Sequence, residues 1–113
     1  MKSYILKYFE TDSAQSPFVR WLEALKDRKS AAIIKARIDR LRFGLFGDTK
    51  FIEHDVFELR IHYGPGYRVY YTQSAGEIIV LLCAGDKSTQ KNDIKTAIKY
   101  VKILQENANA KTS

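Results

Sequence analysis

The chain has 113 residues, of which 45% are hydrophobic, 28% charged and 12% aromatic, and its formal net charge is +6. This composition predicts one globular domain and excludes a disordered polar chain, while the single cysteine excludes an internal disulfide. The absence of a secretory signal and of any apolar run of about 18 residues predicts a cytoplasmic protein, and the basic excess favours an anionic partner such as nucleic acid.

The N-terminal third of the chain predicts one strand followed by two helices. The segment Ser3–Phe9 is typical of a short strand. Ser16 is suited to cap a helix over Pro17–Leu25, because proline is favoured at the first helical position. A second helix is predicted over about Lys29–Phe43, with an inner apolar stripe and basic residues on its flanks.

The segment Val56–Tyr71 predicts a β-hairpin, because aromatic and branched residues alternate with polar ones on both sides of a Gly-Pro-Gly turn. If Tyr63 pairs with Tyr67 across the turn, His62 faces Arg68. Like charges on one strand face repel each other, so this face predicts an anion site. Its polar members would be Glu58, Arg60, His62, Arg68 and Tyr70.

The remaining sequence predicts a buried strand and a basic helix. Ile78–Ala84 lacks alternation, which is typical of a strand buried on both faces. The last helix has an apolar stripe and an opposite face of lysines that includes Lys91 and Lys95. The order β-α-α-β-β-β-α predicts an α+β fold, in which helices pack on one face of a small antiparallel sheet. The polar face of the hairpin is then the open side of the sheet, either fully open or narrowed by the C-terminal helix. We expect a single domain over 1–106 and a flexible C-terminal tail over 107–113.

The ionisable residues indicate chemistry on a phosphodiester rather than at a metal or cofactor. His54 and His62 are too far apart in sequence for a recognised metal motif, and Cys83 lies in an apolar run, so no metal and no cofactor is predicted. Cleavage of RNA by its own 2′-hydroxyl needs cations at the phosphate and groups that move protons. The candidates for catalysis are Arg60, Arg68 and Lys87 as cations and His62 or Glu58 as acid or base. The candidates for RNA contact are Lys91, Lys95 and Tyr70, the last by stacking on a base or by a hydrogen bond.

Each of these residues also has a purely structural interpretation. Glu58 and Arg60 are also compatible with a cross-strand ion pair, and His62 with an exposed strand histidine. The lysine face of the last helix is more typical of a solvated surface than of a contact site.

The motifs FELRIHYGPGYRVYY, LLCAGDK and KNDIKTAIKY together resemble the RelE/ParE toxin superfamily, and most of all its HigB-like, phage-associated branch of addiction-module killer proteins. The resemblance extends from Tyr4 to about Leu104. It implies a type II toxin that cleaves mRNA in the A site of the 30S ribosomal subunit without a metal, and that a small helix-turn-helix antitoxin neutralises. The phosphate-stabilising cations of the family then correspond to Arg68, Arg60 and Lys87.

One position departs from that family. RelE has a tyrosine shortly after the last basic residue, whereas this chain has Asp93-Ile94, which leaves Tyr70 as the candidate for stacking on a base. Two alternatives therefore stay open beside the RNase: a ParE-like inhibitor of DNA gyrase without catalysis, and a degenerate phage-derived protein that only binds an antitoxin. The basic hairpin face favours the RNase.

Overall fold

A computed structural model describes the backbone of residues 2–112 and the side chains of residues 2–108. Five strands form one sheet in the order β1-β5-β4-β3-β2, and three helices pack on it. The strands are β1 Ile5–Tyr8, β2 Thr49–Glu53, β3 Val56–Ile61, β4 Tyr67–Ser74 and β5 Ile78–Asp86. The helices are α1 Pro17–Ala24, α2 Arg28–Leu41 and α3 Gln90–Thr112, and a single 3₁₀ turn, Lys87–Thr89, precedes α3. The predicted α+β class is confirmed.

Both early helices begin where a polar side chain caps them. The Ser16 hydroxyl accepts a hydrogen bond from the backbone N–H of Val19 and precedes Pro17 at the first position of α1. The Asp27 carboxylate accepts from the backbone N–H groups of Lys29 and Ser30, the second and third residues of α2. Because such caps satisfy donors that a helix leaves unpaired, the start of α1 was predictable from sequence.

The hairpin of β3 and β4 has a different register from the predicted one. Ile61, not Tyr63, pairs with Tyr67, so Arg60 lies opposite Arg68. The connection is longer than predicted because Tyr63 already belongs to the turn, where its carbonyl accepts from the N–H of Gly66. The shift is two residues, which keeps every side chain on its predicted face.

The helices cover both faces of the sheet, and this corrects the expectation of an open polar face. Helices α1 and α2 pack on one face, around residues such as Phe18 and Ile34. Helix α3 packs on the other face through Ala97 and Val101. Since β5 lies between these two apolar layers, its uninterrupted hydrophobic run is buried on both sides, as predicted.

Two strand pairings also differ from the prediction. The strand β2 was not predicted; a two-residue turn, His54-Asp55, with positive φ at both residues, joins it to β3 as a hairpin. The strand β1 pairs with β5 in parallel, so the sheet is mixed rather than wholly antiparallel.

The C-terminal end of the sheet approaches α3 closely at Gly85. A side chain at this position would collide with the Asp93 carboxylate and the Thr89 hydroxyl. The backbone of α3 is helical to Thr112, and this range contains most of the predicted tail over 107–113. Ser113 and the side chains from 109 onward lie outside the described residues, so the flexibility of this tail stays a prediction.

Candidate functional site

A buried carboxylate, Glu58, lies at the centre of the polar side chains on β3 and β4. Its side chain is only 1% exposed. Oε1 accepts a hydrogen bond from Nε of Arg60 at 3.2 Å, while Oε2 accepts from the hydroxyl of Tyr70 at 3.1 Å and from Nε2 of Gln90 at 2.9 Å. A buried charge is stable only when it is paired and hydrogen-bonded, and Glu58 meets both conditions.

Two arginines compete for this one carboxylate. The guanidinium Nε of Arg68 lies 3.6 Å from Oε2 of Glu58, too far for a hydrogen bond, and the Arg68 side chain is 16% exposed. Within the described part of the chain, its Nε and Nη1 are buried without a hydrogen-bond partner. Arg60, whose side chain is 32% exposed, is the arginine that hydrogen-bonds to the carboxylate. One carboxylate thus faces two guanidinium groups, and the excess positive charge suits an anion such as phosphate.

Tyr70 is fully buried, which corrects its predicted role in stacking on an RNA base. The ring has no exposed surface to offer, because α3 covers this face of β4. Burial, together with the nearby Glu58 charge, raises the pKa of the Tyr70 hydroxyl far above its usual value. The hydroxyl therefore stays protonated and serves as a permanent donor to Glu58.

His62 lies outside the arginine pair and forms its own pair with Asp48. Nε2 of His62 is 2.5 Å from Oδ2 of Asp48, and the His62 side chain is 73% exposed. This hydrogen bond lowers the pKa of the Asp48 carboxyl, with smaller contributions from the charges of Arg60 and Arg37. His62 follows the last residue of β3, so it does not face Arg68 as the predicted register required.

The three lysines predicted for the site lie on the surface. Lys87 is the first residue of the 3₁₀ turn that Asp86 caps, directly after β5, and it is exposed. Arg68 pairs with Gly85 on β5, so Lys87 leaves the sheet close to the arginine end of β4. Lys91 and Lys95 are exposed on α3, and among residues 2–108 no ion pair holds any of these three lysines. Their contact with RNA stays a prediction.

Sequence reasoning missed two residues of this region, Gln90 and Asp48. Gln90 lies 32 positions after Glu58, and nothing in its local sequence indicates that α3 turns it toward the sheet. Asp48 follows Gly47, and this glycine indicated a turn in the sequence. Nothing in the sequence indicated that the Asp48 side chain pairs with His62. Cys83 is buried, as predicted, and burial with the nearby Asp93 charge raises the pKa of its thiol to about 12.

The described residues form neither a cluster suited to a metal ion nor a helix suited to cross a membrane. Among the described residues, no three histidine, cysteine, aspartate or glutamate side chains gather closely enough to hold a metal ion. None of the helices in residues 2–112 is long and apolar enough to cross a membrane.

Comparison with known proteins gives two matches. A family model described as "Phage derived protein Gp49-like (DUF891)" matches residues 20–103. An uncharacterized protein of Haemophilus influenzae is 54% identical over 80 residues, which cover 71% of this chain and 81% of that protein. The family match includes α2, β2 to β5 and most of α3, and therefore all the residues of the candidate site.

Proposed function

We propose that this chain is the toxin of a type II toxin–antitoxin system and that it cleaves mRNA on the ribosome. The chain belongs to the phage-derived Gp49-like family, which is a toxin-like family of addiction modules. Its partners would be a small helix-turn-helix antitoxin and mRNA in the A site of the 30S subunit, in the cytoplasm. The phage-derived character expected from the sequence is confirmed; the HigB-like assignment and the nuclease activity are part of the proposal.

The observation that carries the proposal is the pair of arginines on one buried carboxylate. Arg60 and Arg68 lie opposite each other on adjacent strands, and Glu58 holds both guanidinium groups on the same face. Arg68 retains N–H groups without a partner among residues 2–108. A scissile phosphate would supply the missing acceptors and the missing negative charge, after a shift of the Arg68 side chain that brings its buried N–H groups to the surface.

The reaction we propose is attack of a 2′-hydroxyl on the adjacent phosphorus. His62 removes the hydroxyl proton, the 2′-oxygen bonds to phosphorus, and the bond from phosphorus to the 5′-oxygen breaks. The ammonium group of Lys87 gives a proton to the departing 5′-oxygen, so the products are a 2′,3′-cyclic phosphate and a 5′-hydroxyl. Arg60 and Arg68 neutralise the charge that grows on the other phosphate oxygens. This reaction needs no metal.

Glu58 has a supporting part in this scheme. The sequence left open whether it holds an arginine or acts as a base. Its occupied oxygens and its burial favour the first role, because a base must be reachable by the proton it removes. Tyr70 and Gln90 fix the carboxylate, and the carboxylate fixes the arginines.

The test maps mRNA 3′ ends in cells that express the wild type, Arg68→Ala, Arg68→Lys or Arg42→Ala. Arg42, an exposed arginine at the end of α2 that pairs with Asp39, is the matched control. Loss of one preorganised phosphate contact lowers the rate by about 10²- to 10³-fold, so Arg68→Ala should lose cleavage while Arg42→Ala keeps it. Arg68→Lys should recover part of it, because lysine keeps the charge but not the planar fork.

Three outcomes would contradict the proposal. A wild-type profile of 3′ ends equal to that of an empty vector excludes the nuclease. DNA damage without mRNA cleavage would instead support a gyrase inhibitor. Absence of any growth defect, with retained binding of the antitoxin, would support a degenerate protein.

A further inference from the structure

The exposed pair of Asp48 and His62 is held beside the arginine site by the backbone. The carbonyl oxygen of Asp48 accepts a hydrogen bond from the N–H of Arg60 at 2.8 Å. Gly47, at φ +64°, turns the chain into this position just before β2. Asp48 is therefore anchored to β3, and its carboxylate reaches His62 from a fixed backbone.

The chemistry of this pair determines which nitrogen of His62 is free. A carboxylate can only accept hydrogen bonds at neutral pH, so the nitrogen next to Asp48, Nε2, must carry the proton. In the neutral ring the other nitrogen, Nδ1, is then an acceptor. An imidazole in this state can remove a proton, which is what attack by a 2′-hydroxyl requires.

We infer that Asp48 is a positioning residue that fixes His62 in the Nε2–H tautomer and leaves Nδ1 as the base. This inference rests on the proposed RNase function. Asp48 also stabilises the imidazolium that forms when Nδ1 takes the proton from the 2′-hydroxyl, and the proton passes from the ring to water after the phosphorus bond to the 5′-oxygen has broken. The charged groups nearest the Asp48 carboxylate besides His62 are Arg60 and Arg37, both cationic.

A surface ion pair without function is the competing explanation. Exposed pairs contribute little to stability, so substitution of Asp48 should leave folding nearly unchanged under either explanation. The cleavage rate, in contrast, changes only if the pair acts in the reaction, whereas the tautomer of His62 reports whether Asp48 fixes the ring. Asp48→Asn keeps the size of the side chain and the backbone hydrogen bond to Arg60, and Asp48→Glu keeps the charge.

The experiment combines two measurements on the full chain. Nitrogen-15 spectra of the imidazole rings, assigned by comparison with His62→Gln, report which nitrogen carries the proton at neutral pH. Cleavage of an mRNA bound to purified ribosomes, under single-turnover conditions, separates the rate of the chemical step from binding. We expect the Nε2–H form in the wild type and a mixture of tautomers in Asp48→Asn. We also expect a cleavage rate about 10- to 100-fold lower in Asp48→Asn with unchanged binding, and partial recovery in Asp48→Glu.

The outcomes separate the two proposals. A wild type that cleaves no mRNA refutes the proposed function, whereas the tautomer of His62 still decides whether Asp48 fixes the ring. A wild-type ring protonated at Nδ1 overturns the inference. If Asp48→Asn cleaves mRNA at the wild-type rate, the role of Asp48 is overturned as well, while the proposed nuclease function stands.

Discussion

Replacing Glu58 by glutamine tests whether the two arginines depend on one buried charge. Glutamine has nearly the same shape as glutamate, so the substitution removes the negative charge without creating a cavity. Its side chain still accepts a hydrogen bond at one oxygen, but the new NH₂ group must face donors from Arg60, Tyr70 or Gln90. Among residues 2–108, Glu58 is the only carboxylate that forms an ion pair with Arg68, so the substitution removes this pair.

The expected loss follows from how far each arginine is buried. Removing one partner of a buried ion pair costs about 3–5 kcal/mol, because the other charge stays in the interior unpaired. Arg60 is one-third exposed and can turn toward water, which reduces this cost, whereas Arg68 is mostly buried. We therefore expect Glu58→Gln to lower the free energy of unfolding by about 3 kcal/mol.

Urea unfolding followed by circular dichroism measures this loss. With a denaturant slope of about 1.5 kcal/mol per molar, the midpoint should fall by about 2 M. Glu53→Gln, an exposed glutamate on β2, is the matched control and should change stability by less than about 0.5 kcal/mol. If Glu58→Gln loses less than about 1 kcal/mol, the arginines are not held by this carboxylate and the reasoning fails.

Three other predictions concern the packing between β5 and α3. The Cys83 thiol, with its pKa raised to about 12 by burial, should resist iodoacetamide at pH 8 in the folded protein and react fully in urea, as mass spectrometry can determine; rapid labelling of the folded protein would contradict its burial. Burial raises the pKa of Asp93, so the folded state binds a proton more tightly than the unfolded state does. Asp93→Asn should therefore stabilise the protein at pH 7, and the gain should shrink as pH falls through that pKa; the same gain at every pH would contradict it. Gly85→Ala should destabilise the fold by about 1–3 kcal/mol in thermal unfolding, because the new methyl group collides with Thr89 and Asp93; an unchanged melting temperature would refute the close approach.

The sequence was sufficient to predict which polar residues share a face of the hairpin, but not how that face is used. Alternation assigns Glu58 and Arg60 to one side of their strand, and Arg68 joins them because the observed register differs from the predicted one by an even number of residues. The register itself depends on how many residues the turn takes, and the Gly-Pro-Gly motif did not reveal that Tyr63 joins it. His62 was therefore assigned to the wrong neighbour.

The burial of this face could not be predicted because it depends on a helix far along the chain. Helix α3 brings Gln90 to Glu58 and covers Tyr70, and both contacts connect residues that are distant in sequence. Local patterns indicate that α3 is amphipathic, but not which surface it packs on. The strand β2 was not predicted for a different reason: its five residues have no clear alternation of their own, although they pair with the neighbouring β3.

The parallel pairing of β1 with β5 has a consequence for the time at which the protein becomes functional during synthesis. β1 can pair with β5 only after Ile78 has been synthesised, because Ile78 is the partner of Ile5. Glu58 likewise receives the hydrogen bond from Gln90 only after that residue has been made. Contacts between such distant segments form late in folding. The two arginines therefore acquire their complete arrangement only after the chain has been made as far as Gln90 and α3 has packed on the sheet.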